Sequence, residues 1–184
     1  MATPAPKRMS LAEFLEWDDG TDTLYELIDG QVVAMPRTSD AHGTIIANFA
    51  LAIGPQLTPP CRIVGNAGIT RPERADSFYI ADLAVTCDRP TDQRFFLPEP
   101  RLIVEVLSRS TAAHDRGRKG EEYRHIASVE AILFVFSDER RVELWRREGE
   151  RWVIEEHIGE AAVHLESLGI DLPLPAIYAN VALD

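Results

Sequence analysis

The sequence predicts a mixed α/β fold, a central β-sheet flanked by helices with a β-hairpin near the N-terminus, and three observations predict it. Two apolar runs of strand length, Phe78 to Val85 and Leu102 to Leu107, carry the β-branched and aliphatic residues of strands buried on both faces. Asp29-Gly30 sits between two short alternating segments, the dipeptide favoured in two-residue hairpin turns. Helical and strand-like stretches then alternate as helix, hairpin, helix, strands, helix, strands, which suits helices packed on a mixed sheet.

Taken in order, residues 1–9 are expected to be disordered and a single domain to occupy 10–184. Ser10 is placed as an N-cap for a short helix, with Glu13 three positions on as its capping-box partner. Leu24 to Ile28 and Gln31 to Met35 form the hairpin arms. Ser39 or Asp40 caps a helix reaching about Leu57, whose Ile45, Ile46, Phe49 and Ile53 recur at helical spacing; His42 lies on that face. After the Pro59-Pro60 break come two short strands, Arg62 to Gly65 and Gly68 to Arg71, then the two apolar strands separated by a polar loop. A helix is expected from about Asp115 to Ala127, and strands at Ala131 to Phe136, Arg141 to Arg146 and Arg151 to His157. The proline-punctuated tail around Leu168 to Pro175 reads as a closing segment lying on the body of the domain.

At 184 residues with 45% hydrophobic and 27% charged content, the composition is that of an ordinary globular protein. No apolar stretch approaches the roughly 20 residues of a membrane span, and the N-terminus lacks a signal-peptide core, so a cytoplasmic protein without a membrane partner is expected. Cys61 and Cys87 lack metal-ligand spacing, which excludes a cysteine-based zinc site and fits free thiols. A net charge of -11 argues against nonspecific coating of nucleic acid. The segment from Arg101 to His125 runs the other way, with six basic residues against four acidic ones. All but two of the 19 basic residues are arginine, which suits bidentate phosphate contacts as well as surface ion pairs.

Candidate chemistry begins with Asp82 and Glu105, each inside one of the apolar strands. An ionised carboxylate there costs several kcal/mol unless it is paired or bound to a cation. Alternation puts Ile80, Asp82 and Ala84 on one face and Ile103, Glu105 and Leu107 on one face, so neighbouring strands would let both acids share one divalent metal. Oxygen donors of this kind favour Mg²⁺ or Mn²⁺ and phosphoryl chemistry. Asp115, Lys119, Tyr123 and Ile126 fall at helical spacing, placing the Lys119 ammonium on the inward stripe, where it would orient a water or stabilise charge on a phosphate. Ordinary alternatives stand beside each: arginine pairing or a wet strand end for the acids, snorkelling for Lys119, and core packing for His42.

The succession Tyr25-Glu26-Leu27-Ile28-Asp29-Gly30, His42, Asp82, Glu105-Val106-Leu107-Ser108 with Ser110-Thr111, then Asp115, Lys119 and Tyr123 resembles the Uma family of putative restriction endonucleases. The likeness runs from about Ser10 to Tyr178. It implies a restriction-endonuclease-like fold of the PD-(D/E)XK type, with Asp82 and Glu105 as metal-binding acids and the Val106 carbonyl as a further ligand. Lys119, on the following helix, takes over the lysine function, because Leu107 stands where the nuclease motif usually carries it. Glu26 and His42 match auxiliary polar positions. Ala81 replaces the usual proline before the aspartate, Arg109 replaces a common proline, and the Ile132-Leu133-Phe134 run lacks a Tyr-Trp pair.

The expected activity is therefore a Mg²⁺-dependent endonuclease or phosphodiesterase acting on nucleic acid, DNA first, with Arg109, Arg116 and Arg118 on the substrate rim and a homodimer as the assembly. The alternatives are a module that keeps the nuclease fold but binds nucleic acid or protein without cleaving, and a hydrolase of a small phosphorylated substrate. Phe95-Phe96-Leu97 is a candidate interface or lid, or a segment folded back on the core.

Overall fold

The computed structural model describes residues 8–90, 95–108 and 112–183. Helix α1, Leu11–Glu16, starts on a complete capping box: Ser10 accepts from the Glu13 backbone, and the Glu13 carboxylate accepts from Ser10 N at 2.8 Å. Strands β1, Tyr25–Ile28, and β2, Gln31–Ala34, form the expected hairpin. Asp29 and Gly30 have φ of 49° and 76°, the positive values that this turn type demands. Ser39 caps helix α2, Asp40–Ile53, which ends in a single 3₁₀ turn, Gly54–Gln56.

A six-stranded sheet follows: β3 Arg62–Ile69, β4 Tyr79–Thr86, β5 Pro100–Leu107, β6 Ala131–Phe136, β7 Arg141–Glu148 and β8 Arg151–Ile158, side by side in chain order. Only β5 and β6 run parallel, and the connection between them contains helix α3, Ala112–Arg124, as a parallel crossover requires. The two short strands expected between Arg62 and Arg71 are one strand, β3, which bends at Asn66, where φ is 47°. The tail is more regular than expected. Strands β9, Ala162–Leu165, and β10, Ile170–Pro173, pair as a hairpin and lead into helix α4, Leu174–Ile177. Their burial alternates every second residue, a signal too short to separate from a loop in the sequence alone.

Both sheet faces are covered. On one, Ile45, Phe49 and Ile53 of α2 and Leu172, Leu174 and Ile177 of the tail pack on Leu83, Val104, Leu133 and Leu144. On the other, Tyr123 of α3 and Ile126 just beyond it pack on Ile103, Leu107, Phe134 and Trp145. A third cluster of Phe14, Leu27, Phe78 and Ile80 ties the N-terminal helix and hairpin to the start of β4, and Met9 is anchored through its N–H to Gly30 O at 2.8 Å. Phe96 and Leu97 fold onto these cores, whereas Phe95 is 70% exposed.

One expectation is overturned here: Cys61 and Cys87 are joined in a disulfide. Arg62 pairs with Thr86 in the β3–β4 register, so the residues just beyond are brought face to face, with Cα atoms 3.8 Å apart. Their 26-residue separation conceals that register in the sequence. Among the described residues, no helix is long and apolar enough to cross a membrane.

Candidate active site

The site forms where two strands stop pairing. The antiparallel ladder of β4 and β5 runs through Leu83 opposite Val104, and the next opposed residues would be Asp82 and Glu105. The ladder ends there instead, and the Asp82 carboxylate takes its place by accepting from Val106 N at 2.7 Å. Alternation holds in β5, where Ile103 and Leu107 share a cluster. In β4 it slips at Asp82, correcting the simple parity reading: Ala84 clusters with Ala81 and Tyr79, while Ile80 packs with Phe14, Leu27 and Phe78. The cause lies across the sheet, since the β3–β4 register skips from Gly65 opposite Leu83 to Ala67 opposite Ala81, passing over left-handed Asn66.

Three other elements supply the remaining groups. Leu27 in β1 bridges to Phe78, which brings Glu26 beside β4, where its Oε1 accepts from Ile80 N at 2.9 Å. From the first turn of α2, His42 sets Nε2 3.2 Å from Asp82 Oδ2, and its Nδ1 is buried without a hydrogen-bond partner among the described residues. From α3, Lys119 Nζ lies 2.9 Å from Glu26 Oε1, 3.2 Å from Glu105 Oε1 and 3.3 Å from the Ile80 carbonyl. One helical turn on, Tyr123 donates its hydroxyl to Glu105 Oε1 at 2.6 Å. Gly120, between them, lets α3 approach the sheet: a Cβ there would lie 2.8 Å from the Trp145 ring. Lys119 can reach the acids because the helix is that close.

Glu26, Asp82, Glu105 and Lys119 are each more than nine-tenths buried, and in this low-dielectric setting Glu26 and Glu105 share the Lys119 ammonium while Asp82 faces His42. Burial pushes the Glu105 carboxyl up to about 8; Lys119 pulls it down, Asp82 adds to the rise and the Tyr123 hydroxyl opposes it. The Tyr123 phenol is itself pushed well above its usual value, chiefly by burial and then by Glu105. It therefore stays a hydrogen-bond donor at neutral pH.

These groups face a cavity of about 370 Å³ whose lining includes Glu26, His42, Asp82, Glu105, Val106 and Lys119. The structure thus brings together the two acids, the lysine and both auxiliary residues singled out in the sequence. The arginines fare differently. Arg118 lines the cavity and is ion-paired to Asp29, whose carboxyl Arg118 and Arg74 hold below the usual range. Arg116 pairs with Glu143 at 2.6 Å and lies over the Trp145 ring. Arg109, like Ser110-Thr111, lies outside the described residues, and so does the side chain of Asp115.

Among the described residues no group of three or more His, Cys, Asp or Glu side chains forms a ready-made metal cage. Mg²⁺ does not require one, because it keeps several waters and is usually held by one or two carboxylates. Asp82 and Glu105, two buried carboxyl groups on the cavity wall, fit such a cation, and the unpartnered His42 Nδ1 marks polar capacity that the protein leaves unused. Sequence reasoning placed Tyr123 on the inward stripe without giving it a role in the site. It missed the connection Met35 to Ser39, which forms one wall of the cavity. Nothing local in that segment signals proximity to Asp82.

Comparison with known proteins gives the family and the fold. Residues 11–176 match the Uma2 family, described as putative restriction endonuclease. Two Synechocystis sp. proteins, slr1290 and sll1609, are 30% and 28% identical to this chain. The first alignment covers 98% of this chain and 96% of the relative, the second 88% and 94%. The crystal structure of a putative nuclease of the DUF820 group from Anabaena variabilis superposes with a TM-score of 0.75 at 19% identity, over 95% of this chain and 99% of that one. With a family match over residues 11–176 and a 30%-identical relative aligned over nearly its whole length, the chain belongs to the Uma2 family of putative restriction endonucleases.

Proposed function

We propose that this protein is a Mg²⁺- or Mn²⁺-dependent phosphodiesterase acting on nucleic acid, with DNA as the first substrate to test. One observation carries the reading: Asp82 and Glu105 meet where the β4–β5 ladder ends, on the wall of a cavity, with Lys119 between Glu105 and Glu26. Asp82, Glu105 and the Val106 carbonyl would hold the cation, which supplies polarisation of the phosphate and a lowered pKa for a bound water.

The chain's own groups do the rest. Val106 N–H fixes Asp82 through Oδ2, leaving Oδ1 without a hydrogen bond among the described residues. Tyr123 fixes the Glu105 rotamer from the far side. Glu26 holds the Lys119 ammonium beside Glu105, where it orients the attacking water and stabilises charge that develops on the phosphoryl oxygens. Burial above this cluster strengthens each of these interactions relative to bulk water.

The competing reading, a fold-retaining module that binds without cleaving, draws on Lys119, whose ammonium is already satisfied by two carboxylates and a carbonyl. Titration of the purified protein with Mg²⁺ and Mn²⁺ by calorimetry separates the two, run beside a cleavage assay on supercoiled, linear and single-stranded DNA. Metal binding and cleavage lost together in Asp82→Ala and Glu105→Ala establish the phosphodiesterase. Binding of DNA without metal uptake or cleavage establishes the module.

A further inference from the structure

We propose that Arg37 is the residue that receives a substrate phosphate at this site, an assignment that rests on the nucleic-acid reading above. A polyanion approaching Glu26, Asp82 and Glu105 meets buried negative charge and needs a cation that is free to receive it. Among the described residues, the other arginines near the site are committed elsewhere: Asp29 takes Arg74 and Arg118, and Glu143 takes Arg116. Arg37 is exposed and forms no ion pair among the described residues.

Its placement matches the need. A second cavity of about 790 Å³ adjoins the first, and the two share Met35, Pro36, Arg37, Thr38, His42 and Asp82. Asp82 is therefore reached from both sides, and Arg37 is the arginine common to both cavity walls. The short connection that carries it is tied at each end, by Met35 N to Leu24 O at 2.9 Å and by the Ser39 cap of α2. Its backbone is thus held beside the acids while the side chain stays available. A guanidinium offers paired donors that match two phosphate oxygens, which a lysine at the same position would not reproduce.

The test is fluorescence anisotropy with a short fluorescein-labelled oligonucleotide, single-stranded and duplex, titrated across NaCl concentrations. The measurements are made in an Asp82→Asn background with Mg²⁺ and repeated in the wild type with chelator. Arg37→Ala should weaken binding about tenfold and lower the slope of log K against log salt by about 0.7–0.9, the share of one phosphate contact. Arg37→Lys should recover part of the affinity. Arg151→Ala, which removes an exposed charge on β8, serves as the charge-matched control and should do neither. Equal effects from Arg37→Ala and Arg151→Ala would overturn the assignment. Absence of oligonucleotide binding in every background would overturn both it and the reading beneath it. Arg37-dependent binding without cleavage in the wild type with Mg²⁺ would keep the assignment and overturn the phosphodiesterase.

Discussion

Glu105→Gln isolates the electrostatic cost of the site in the metal-free protein. The Glu105 carboxyl rises from 4.5 to about 8 on folding, mainly because burial disfavours its charge. Between those values the folded protein binds a proton that the unfolded chain has released, so stability falls as pH rises. The slope is about 1.4 kcal/mol per pH unit. The loss begins near 4.5 and is complete above about 8, with a ceiling of roughly 5 kcal/mol. Glutamine keeps an oxygen for the Tyr123 hydroxyl and has no proton to lose. Urea unfolding in chelator, followed by tryptophan fluorescence, should show the wild type losing about 3 kcal/mol between about pH 5.5 and about pH 7.5 relative to Glu105→Gln. Subtracting the two curves cancels the titrating groups far from Glu105 and leaves the coupled cluster of Glu105, Asp82, Glu26 and Lys119 as the source of the difference. Millimolar Mg²⁺, which needs the ionised carboxylate, should flatten the wild-type curve and leave the variant unchanged. Parallel pH profiles for the two proteins in chelator would refute the claim that burial at the end of the β4–β5 ladder keeps Glu105 protonated.

Three further outcomes follow from the geometry. Asp82→Asn keeps an acceptor for Val106 N–H and should leave unfolding within about 1 kcal/mol of wild type while abolishing metal uptake, whereas Asp82→Ala strands that buried donor and should cost about 1–3 kcal/mol more; calorimetry and urea unfolding read the two effects separately. Gly120→Ala gains about 1 kcal/mol of helix propensity but drives a methyl into Trp145, for an overpacking cost of about 1–3 kcal/mol. It should lower activity by pushing Lys119 off the acids, and a fully active, more stable variant would sink the close-approach argument. Cys61→Ser opens a 26-residue loop and should cost about 3 kcal/mol of stability in non-reducing urea titrations, with no difference from wild type once reductant is present.

Much of the fold was legible because its signals are local. The capping box at Ser10 and Glu13, the Asp29-Gly30 turn, the helical stripe of α2 and the two apolar strands each sit within a window of a few residues. The same holds for the core of the site, since an acid in an apolar strand and a lysine on an inward helical stripe are anomalies that adjacent residues expose.

What tertiary structure decided was pairing across long separations. The end of the β4–β5 ladder at Asp82, the slip in alternation opposite Asn66, the Cys61–Cys87 disulfide and the capture of Arg118 by Asp29 all depend on register between segments far apart in the chain. The sequence by itself determined which residues carry unusual charge and which elements hold them. Only the folded chain determined which charges neutralise one another, because Coulomb energy and desolvation depend on distance and burial, and neither is written in residue order.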